Sequence, residues 1–183
     1  MRPIRAAAAM TILLLAGSLP AAPSPRYVRS IAHVTPPEVT LVDERGEQVP
    51  LAAVLESSEP VLLQFIFTTC PSVCPALSAT FSAAQEELGA GARLVSISID
   101  PEFDTPARLR EYARRFNAGP RWRFLTGSRE NVAAVQKAFG AYRPNKMWHE
   151  PLTFLRPAAG REWVRLAGPL GAAELVAETR RLR

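Results

Sequence analysis

Apolar residues along the chain are concentrated in short runs that have the length of β-strands. Residues 61–67 are all Val, Leu, Ile or Phe apart from Gln64, and the run follows directly on Pro60. A run this short and this apolar is typical of a strand that is buried on both faces. Residues 93–99 alternate and are rich in β-branched side chains, which predicts a second inner strand ending at Asp100. Shorter strands are predicted at residues 122–125, 151–155 and 162–166, the last two joined around Ala159 and Gly160.

Helix start and stop signals lie between these strands. Ser and Thr favour helix N-termini, Pro suits the first helical position, and Gly ends helices. They predict helices at residues 71–88 before Gly89 and Gly91, 106–116 behind Thr105, from Ser128 to Phe139, and 171–183. Residues 39–49 predict a β-hairpin with Gly46 in its turn. The alternation of strands and helices predicts an α/β fold, a mixed central sheet flanked by helices, with the hairpin as an N-terminal extension.

The N-terminus has the pattern of a targeting segment. Arg2 and Arg5 precede an apolar run at residues 6–16, which is shorter than the roughly 20 residues that span a bilayer. We interpret residues 1–22 as a secretory signal peptide, with an uncleaved membrane anchor as the alternative. No cysteine lies near the cleavage region, which excludes a lipoprotein. Residues 23–37, rich in Pro, Ser and Arg, are interpreted as a linker, and residues 38–183 as one domain.

The amino-acid composition limits the classes of function that this protein can have. The chain has 183 residues, 48% of them hydrophobic and 21% charged, with a formal net charge of +5. These values describe an ordinary globular protein with a full core. No basic run is interleaved with aromatic residues, so we expect no nucleic-acid binding. The predicted export places the domain in an oxidising compartment, periplasmic or on the extracytoplasmic face of a membrane, where two neighbouring cysteines can form a disulfide.

The chain has two cysteines, Cys70 and Cys74, where the first inner strand is predicted to give way to a helix. A spacing of i, i+4 places both sulfurs on one helix face, within reach of a disulfide or of one metal ion. The helix N-terminus stabilises thiolates, which favours both redox and metal chemistry. An inert disulfide is the plainer alternative, but its loop would constrain the unfolded chain very little.

Two thiolates rarely complete a site for a soft metal, so a third ligand is expected. The candidates are Met10 in the signal segment, His33 in the predicted linker, Met147 and His149. His149 lies in a loop, residues 144–150, just before an inner strand, and is the preferred ligand. Two sulfurs and one imidazole suit copper, as Cu(I) or as a thiolate-rich Cu(II) site. Zinc is the alternative metal, although it would usually require a fourth ligand.

Taken together, these motifs resemble the Sco/SenC family. The resemblance runs from Val39 to the C-terminus and rests on residues 67–75 (Phe-Thr-Thr-Cys-Pro-Ser-Val-Cys-Pro), residues 98–106 (Ser-Ile-Asp-Pro-Glu-Phe-Asp-Thr-Pro), residues 124–127 and the histidine before a strand. It implies a thioredoxin-like fold, export, and a role in delivering copper during cytochrome c oxidase assembly. It also implies that Cys70, Cys74 and His149 bind the copper.

The sequence departs from the family pattern beside both parts of the site. Ser72 stands between the cysteines where the family commonly has Asp, and Trp148 and Glu150 flank the histidine in place of Asp and Ser. We interpret Glu150 and Asp100 as residues that tune the site or contact a partner. The pair Asp104 and Thr105 is interpreted as the cap of the following helix.

The function expected from the resemblance is that of a monomeric metallochaperone, without enzymatic turnover. Its partner would be the copper-site subunit of cytochrome c oxidase or another copper chaperone, and a Cys70–Cys74 disulfide would be its metal-free resting state. The alternative is a thiol-disulfide reductase that keeps the acceptor's cysteines reduced and needs only those two cysteines. A peroxide-reducing enzyme is a more distant third, because a peroxidatic cysteine needs no partner one turn away.

Overall fold

The computed structural model describes residues 26–157 and 162–182, and within them helices flank one mixed sheet of eight strands. The strands are β1 (Val28–Ala32), β2 (Thr40–Asp43), β3 (Gln48–Pro50), β4 (Val61–Ile66), β5 (Arg93–Ser98), β6 (Trp122–Thr126), β7 (Leu152–Arg156) and β8 (Trp163–Ala167). The α-helices are α1 (Leu51–Leu55), α2 (Val73–Leu88), α3 (Pro106–Arg115), α4 (Arg129–Ala138) and α5 (Ala172–Arg180). Single 3-10 turns occupy Gly89–Gly91 and Lys146–Trp148. The predicted α/β fold with a mixed, helix-flanked sheet is confirmed.

The order of the strands brings three loops together at one edge of the sheet. The order is β1-β8-β7-β4-β5-β6-β2-β3, with β4, β5 and β6 parallel and every other pair antiparallel. Parallel neighbours share the edge at which they end, so the loops that follow β4 and β5 are adjacent. Since β7 runs antiparallel to β4, the loop that leads into β7 arrives at the same edge.

The core lies on both faces of the sheet. Strand β4 is buried along its whole length, and its side chains alternate between the faces. Leu62 and Ile66 join a cluster that includes residues of α2, α3 and α5. Leu63 and Phe65 join a second cluster that includes residues of α1 and α4. Burial on both faces explains why residues 61–67 are almost uniformly apolar.

The segment predicted as a linker, residues 23–37, contains strand β1, which corrects that interpretation. Residues 28–32 pair antiparallel with β8 along its whole length. Just before and within β1, the Tyr27 hydroxyl and Arg29 Nε donate to the buried Glu178 carboxylate at 2.8 and 2.9 Å. The Pro, Ser and Arg content of the segment predicted a linker because composition does not reveal a partner strand that is about 135 residues distant along the chain.

Two other elements differ in detail from the prediction. Strands β2 and β3 pair around Gly46, whose φ is +91°, and β2 also pairs with β6, so the hairpin continues the main sheet. Helix α1 follows β3 directly and was not predicted. The predicted signal segment, residues 1–22, and the turn at Ala159 and Gly160 lie outside the described residues. Within the described ranges, no helix has both the length and the apolar character needed to cross a bilayer.

Candidate metal centre

The two thiols meet in the connection between β4 and α2. Helix α2 begins at Val73, two residues later than predicted, because Pro71 lies in a bend where the Cys70 N–H donates to the Phe67 carbonyl at 3.1 Å. Pro75, rather than Pro71, occupies the first helical turn, where its missing N–H costs nothing. Cys70 therefore precedes the helix, whereas Cys74 lies within its first turn.

The N-terminus of α2 is directed at the sulfur of Cys70. The Ser72 side chain makes no capping hydrogen bond, and the Cys74 N–H instead donates to Cys70 Sγ at 3.3 Å. One of the unpaired donors that every helix N-terminus carries is thus satisfied by a sulfur. Both cysteines are free thiols. The structure brings this part of the predicted site together.

Cys70 and Cys74 differ strongly in accessibility. Cys74 is fully buried, whereas Cys70 is partly exposed. Burial raises the pKa of the Cys74 thiol, and the neighbouring Cys70 side chain raises it further. The backbone N–H of Phe67, 3.4 Å from Cys74 Sγ, opposes this shift. Cys70 is therefore the thiol that is accessible from solvent, and Cys74 is held in the protein interior.

His149 is the buried residue of the loop that leads into β7. Its side chain follows the 3-10 turn Lys146–Trp148 and packs edge-on against the Phe67 ring, with ring centroids 6.5 Å apart. Burial lowers the pKa of His149, although a hydrogen bond with the Phe65 backbone opposes this. Nε2 is buried and has no hydrogen-bond partner among the described residues. A neutral imidazole with a free ring nitrogen has the form that binds metals.

The three predicted ligands converge on Phe67 but do not form a closed cluster. The Phe67 N–H contacts Cys74, its carbonyl accepts from Cys70, and its ring contacts His149. Across residues 26–157 and 162–182, no three His, Cys, Asp or Glu side chains are grouped closely enough to hold an ion. The structure thus brings the imidazole and both thiols to Phe67 without completing a coordination sphere.

The other candidate ligands lie elsewhere or at the surface. His33 follows β1, three strands away from β4 in the sheet, and its Nδ1 pairs with exposed Glu162 at 3.0 Å. Met147 and Trp148, directly before His149, are 58% and 65% exposed. Both present apolar side chains on the surface of the loop itself.

Asp100 and Glu150 both contact the histidine loop through ion pairs. Asp100 pairs with Lys146, whose ammonium also lies 5.4 Å from the centre of the Phe67 ring. Glu150, the last residue of the loop, pairs with Arg143 immediately before the loop. After burial and the Cys70 side chain, the Asp104 carboxylate also raises the pKa of the Cys74 thiol. A tuning or partner-contact role of Asp100 and Glu150 stays a prediction.

The role of Asp104 differs from the one predicted from the sequence. The cap of α3 is made by Thr105, whose hydroxyl accepts from the Arg108 N–H at 3.4 Å, so the expected capping role holds for Thr105 and is wrong for Asp104. Asp104 is fully buried and accepts from Thr68 and Ser98. The sequence holds a usable signal: two potential caps stand side by side and a helix needs one.

Comparison with known proteins identifies the family to which the chain belongs. The profile of the family described as SCO1/SenC matches residues 32–182. The SCO1 protein homolog of Bacillus subtilis is 35% identical over 92 residues, which make up 48% of this chain and 47% of that protein. The chain thus spans about half the length of this curated relative.

Solved structures show the same fold. Bradyrhizobium japonicum ScoI, solved with copper bound, is 28% identical with a TM-score of 0.63, covering 79% of this chain and 96% of that one. BsSco, described as a member of the Sco family of cytochrome c oxidase assembly proteins, is 24% identical with a TM-score of 0.70, covering 85% and 96%. The predicted thioredoxin-like architecture is confirmed by these likenesses.

Proposed function

Because the chain belongs to the SCO1/SenC family, we propose that it binds copper through Cys70, Cys74 and His149 and delivers the ion to the copper site of cytochrome c oxidase. Copper is the cargo of this process, so no chemical turnover is required. Two thiolates and one imidazole form a donor set that suits copper. The observation that carries the proposal is the unpartnered Nε2 of His149, since a buried polar atom without a partner calls for an explanation and a bound ion provides one.

Loading begins at the accessible thiol. Cys70, partly exposed and facing the N-terminus of α2, takes the ion first, and buried Cys74 follows as the ion's charge replaces its proton. His149 completes the site last. Because the three ligands do not form a closed cluster, loading requires residues 144–150 to shift toward the thiols. The ion pair between Asp100 and Lys146 holds that loop beforehand.

Delivery then occurs by ligand exchange with an acceptor that presents its own cysteines. The acceptor is the copper-site subunit of the oxidase or another copper chaperone. Exposed Met147 and Trp148 supply an apolar contact surface next to His149, where an acceptor must approach. We place the protein, as a monomer, on the extracytoplasmic face of the membrane, in keeping with the signal or anchor predicted at residues 1–22.

A titration of the reduced protein tests the proposal. Cu(I) and Cu(II) are added separately, and thiolate-to-copper charge-transfer absorption is followed, with Zn²⁺ as a competitor. His149→Ala is expected to weaken copper binding by more than the roughly 10–100-fold that follows loss of a residue supporting a ligand. His33→Ala, a change at an 82% exposed side chain, is the control and should bind as the wild type does. Unchanged affinity in His149→Ala would refute the three-ligand site.

A thiol-disulfide reductase is the second candidate function, favoured by the free thiols. Cys70 thiolate attacks a disulfide of the acceptor, forming a mixed disulfide and expelling one acceptor thiolate. Cys74 then loses its proton and attacks Cys70, which forms the Cys70–Cys74 disulfide and releases the second acceptor thiol, so two electrons reach the acceptor. Rapid reduction of a model disulfide by protein that binds no copper would favour this function. His149→Ala would leave that reduction unchanged.

A further inference from the structure

Asp104 is a buried carboxylate that is held by neutral groups. Its side chain is fully buried, and its oxygens accept from the Thr68 N–H at 3.1 Å, from the Thr68 hydroxyl at 2.5 Å and from the Ser98 hydroxyl at 2.6 Å. No cation pairs with it in the part of the chain that the structure describes. Burying a carboxylate without a counter-ion is unfavourable, and such groups persist where several donors converge on them. Three donors, two from Thr68 after β4 and one from Ser98 at the end of β5, therefore need an explanation beyond the start of α3.

The residue that Asp104 holds, Thr68, is next to Phe67, the residue that all three predicted ligands contact. Thr68, which donates twice to Asp104, directly follows Phe67. The N–H and the carbonyl of Phe67 contact Cys74 and Cys70, and its ring packs against His149. Rotation of the Phe67–Thr68 peptide would move the carbonyl that accepts from Cys70, and a displacement of Phe67 as a whole would disturb all three contacts.

We propose that Asp104 is a positioning residue of the metal centre, fixing the Phe67–Thr68 peptide so that Cys70, Cys74 and His149 are held around Phe67. Ser98 ends β5 and Thr68 follows β4, so the carboxylate ties together the ends of two adjacent parallel strands. Residues that orient ligands through hydrogen bonds contribute strongly to metal affinity without touching the ion. This inference rests on the proposed copper site.

The test compares three variants of the chain. Asp104→Asn keeps the shape but changes one acceptor oxygen to a donor, and Thr68→Val removes one donor at nearly constant volume. Thr105→Ala is the matched control, since it removes the α3 cap next door and leaves the contacts of Asp104 in place. Each variant is measured for thermal unfolding, for Cu(I) affinity against a chromophoric chelator, and for the Cys70–Cys74 dithiol–disulfide equilibrium in a glutathione buffer.

Asp104→Asn is expected to weaken Cu(I) binding by about 10–100-fold and to shift the dithiol–disulfide equilibrium by about tenfold. Thr68→Val should act in the same direction, and the double variant should be no worse than Asp104→Asn because the two residues share one interaction. Thr105→Ala should lower the unfolding temperature alone. If all three variants lower it while affinity and equilibrium stay at wild-type values, Asp104 is merely structural and the inference is wrong.

The same measurements separate this inference from the proposed function. If the wild type binds no copper, the proposed function fails and the dithiol–disulfide equilibrium decides the role of Asp104. A tenfold shift in Asp104→Asn with none in Thr105→Ala then supports positioning of the thiol pair, and no shift overturns it. If Asp104→Asn does not fold, Thr68→Val provides the same readouts.

Discussion

Replacing His149 by leucine should stabilise the metal-free protein and destabilise the copper-loaded one. In the metal-free protein the buried Nε2 has no partner, and a buried unsatisfied polar atom costs about 1–3 kcal/mol. Leucine has nearly the same volume and removes that atom. It also removes the hydrogen bond with the Phe65 backbone, worth about 0.5–1.5 kcal/mol. The difference predicts a gain of about 1 kcal/mol in the free energy of unfolding of the metal-free protein.

The copper-loaded protein should respond in the opposite sense. A ligand that binds only the folded state stabilises it by about 2.7 kcal/mol when its free concentration is 100 times the dissociation constant. His149→Leu loses this contribution together with its copper affinity. Opposite signs for the two forms distinguish a ligand from an ordinary core residue, whose replacement would change both forms alike.

The assay is urea unfolding of the reduced protein at pH 7.5, once with a copper chelator and once with copper in excess. A gain of 1 kcal/mol corresponds to a rise of about 0.3–1 M in the urea midpoint, for a slope of about 1–3 kcal/mol per molar urea. His149→Gln, which keeps a polar side chain of similar size, is the control and should not stabilise the metal-free form. If His149→Leu destabilises the metal-free protein by more than about 1 kcal/mol, the imidazole makes favourable contacts there and the reasoning is refuted.

Three further predictions follow from burial and charge. The pKa of His149 is lowered by burial, so stability that is present above the ordinary pKa of about 6.5 should be lost as the pH falls. Urea unfolding between pH 5 and 7.5 measures this loss of stability. The loss should be smaller in His149→Leu. Alkylation by iodoacetamide, followed by mass spectrometry, should be at least about tenfold slower at Cys74 than at Cys70, since each unit by which a pKa is raised lowers the thiolate fraction about tenfold. Equal alkylation rates would contradict the burial of Cys74. Glu178→Ala removes the hydrogen bonds between β1 and its neighbour and α5, and should lower the free energy of unfolding by about 2 kcal/mol. Glu87→Ala, at a half-exposed ion pair, should change it by less than about 0.5 kcal/mol. Similar losses in both variants would show that the buried Glu178 contacts stabilise the fold no more than a surface pair does.

Elements whose signals are local were predictable from the chain. Residues 61–67 predict β4 because a strand buried on both faces must be apolar at nearly every position. Thr105 and Pro106 predict the start of α3, and the structure places the helix there, because an N-cap acts within one turn. The cysteine pair is adjacent for the same reason, since four residues of chain leave little freedom for separation.

Elements that depend on distant partners were not predictable. Strand β1 exists because β8 pairs with it and Glu178 anchors it, and neither partner is visible in its own composition. Helix α2 begins two residues later than predicted, because the geometry of the preceding loop sets both the bend at Pro71 and the contact of the Cys74 N–H with the Cys70 sulfur. These differences share one cause, which is that tertiary contacts overrode local propensity.

The sequence by itself determined the fold class and the close spacing of the two thiols, because these depend on local periodicity and short spacing. Its choice of His149 as the third ligand stays a prediction. The tertiary structure alone decided that Cys74 is buried while Cys70 is accessible, that Phe67 is the common contact of all three residues, and that Asp104 accepts from Thr68 beside it. Burial and convergence depend on which strands end side by side, and strand order is a property of the whole sheet.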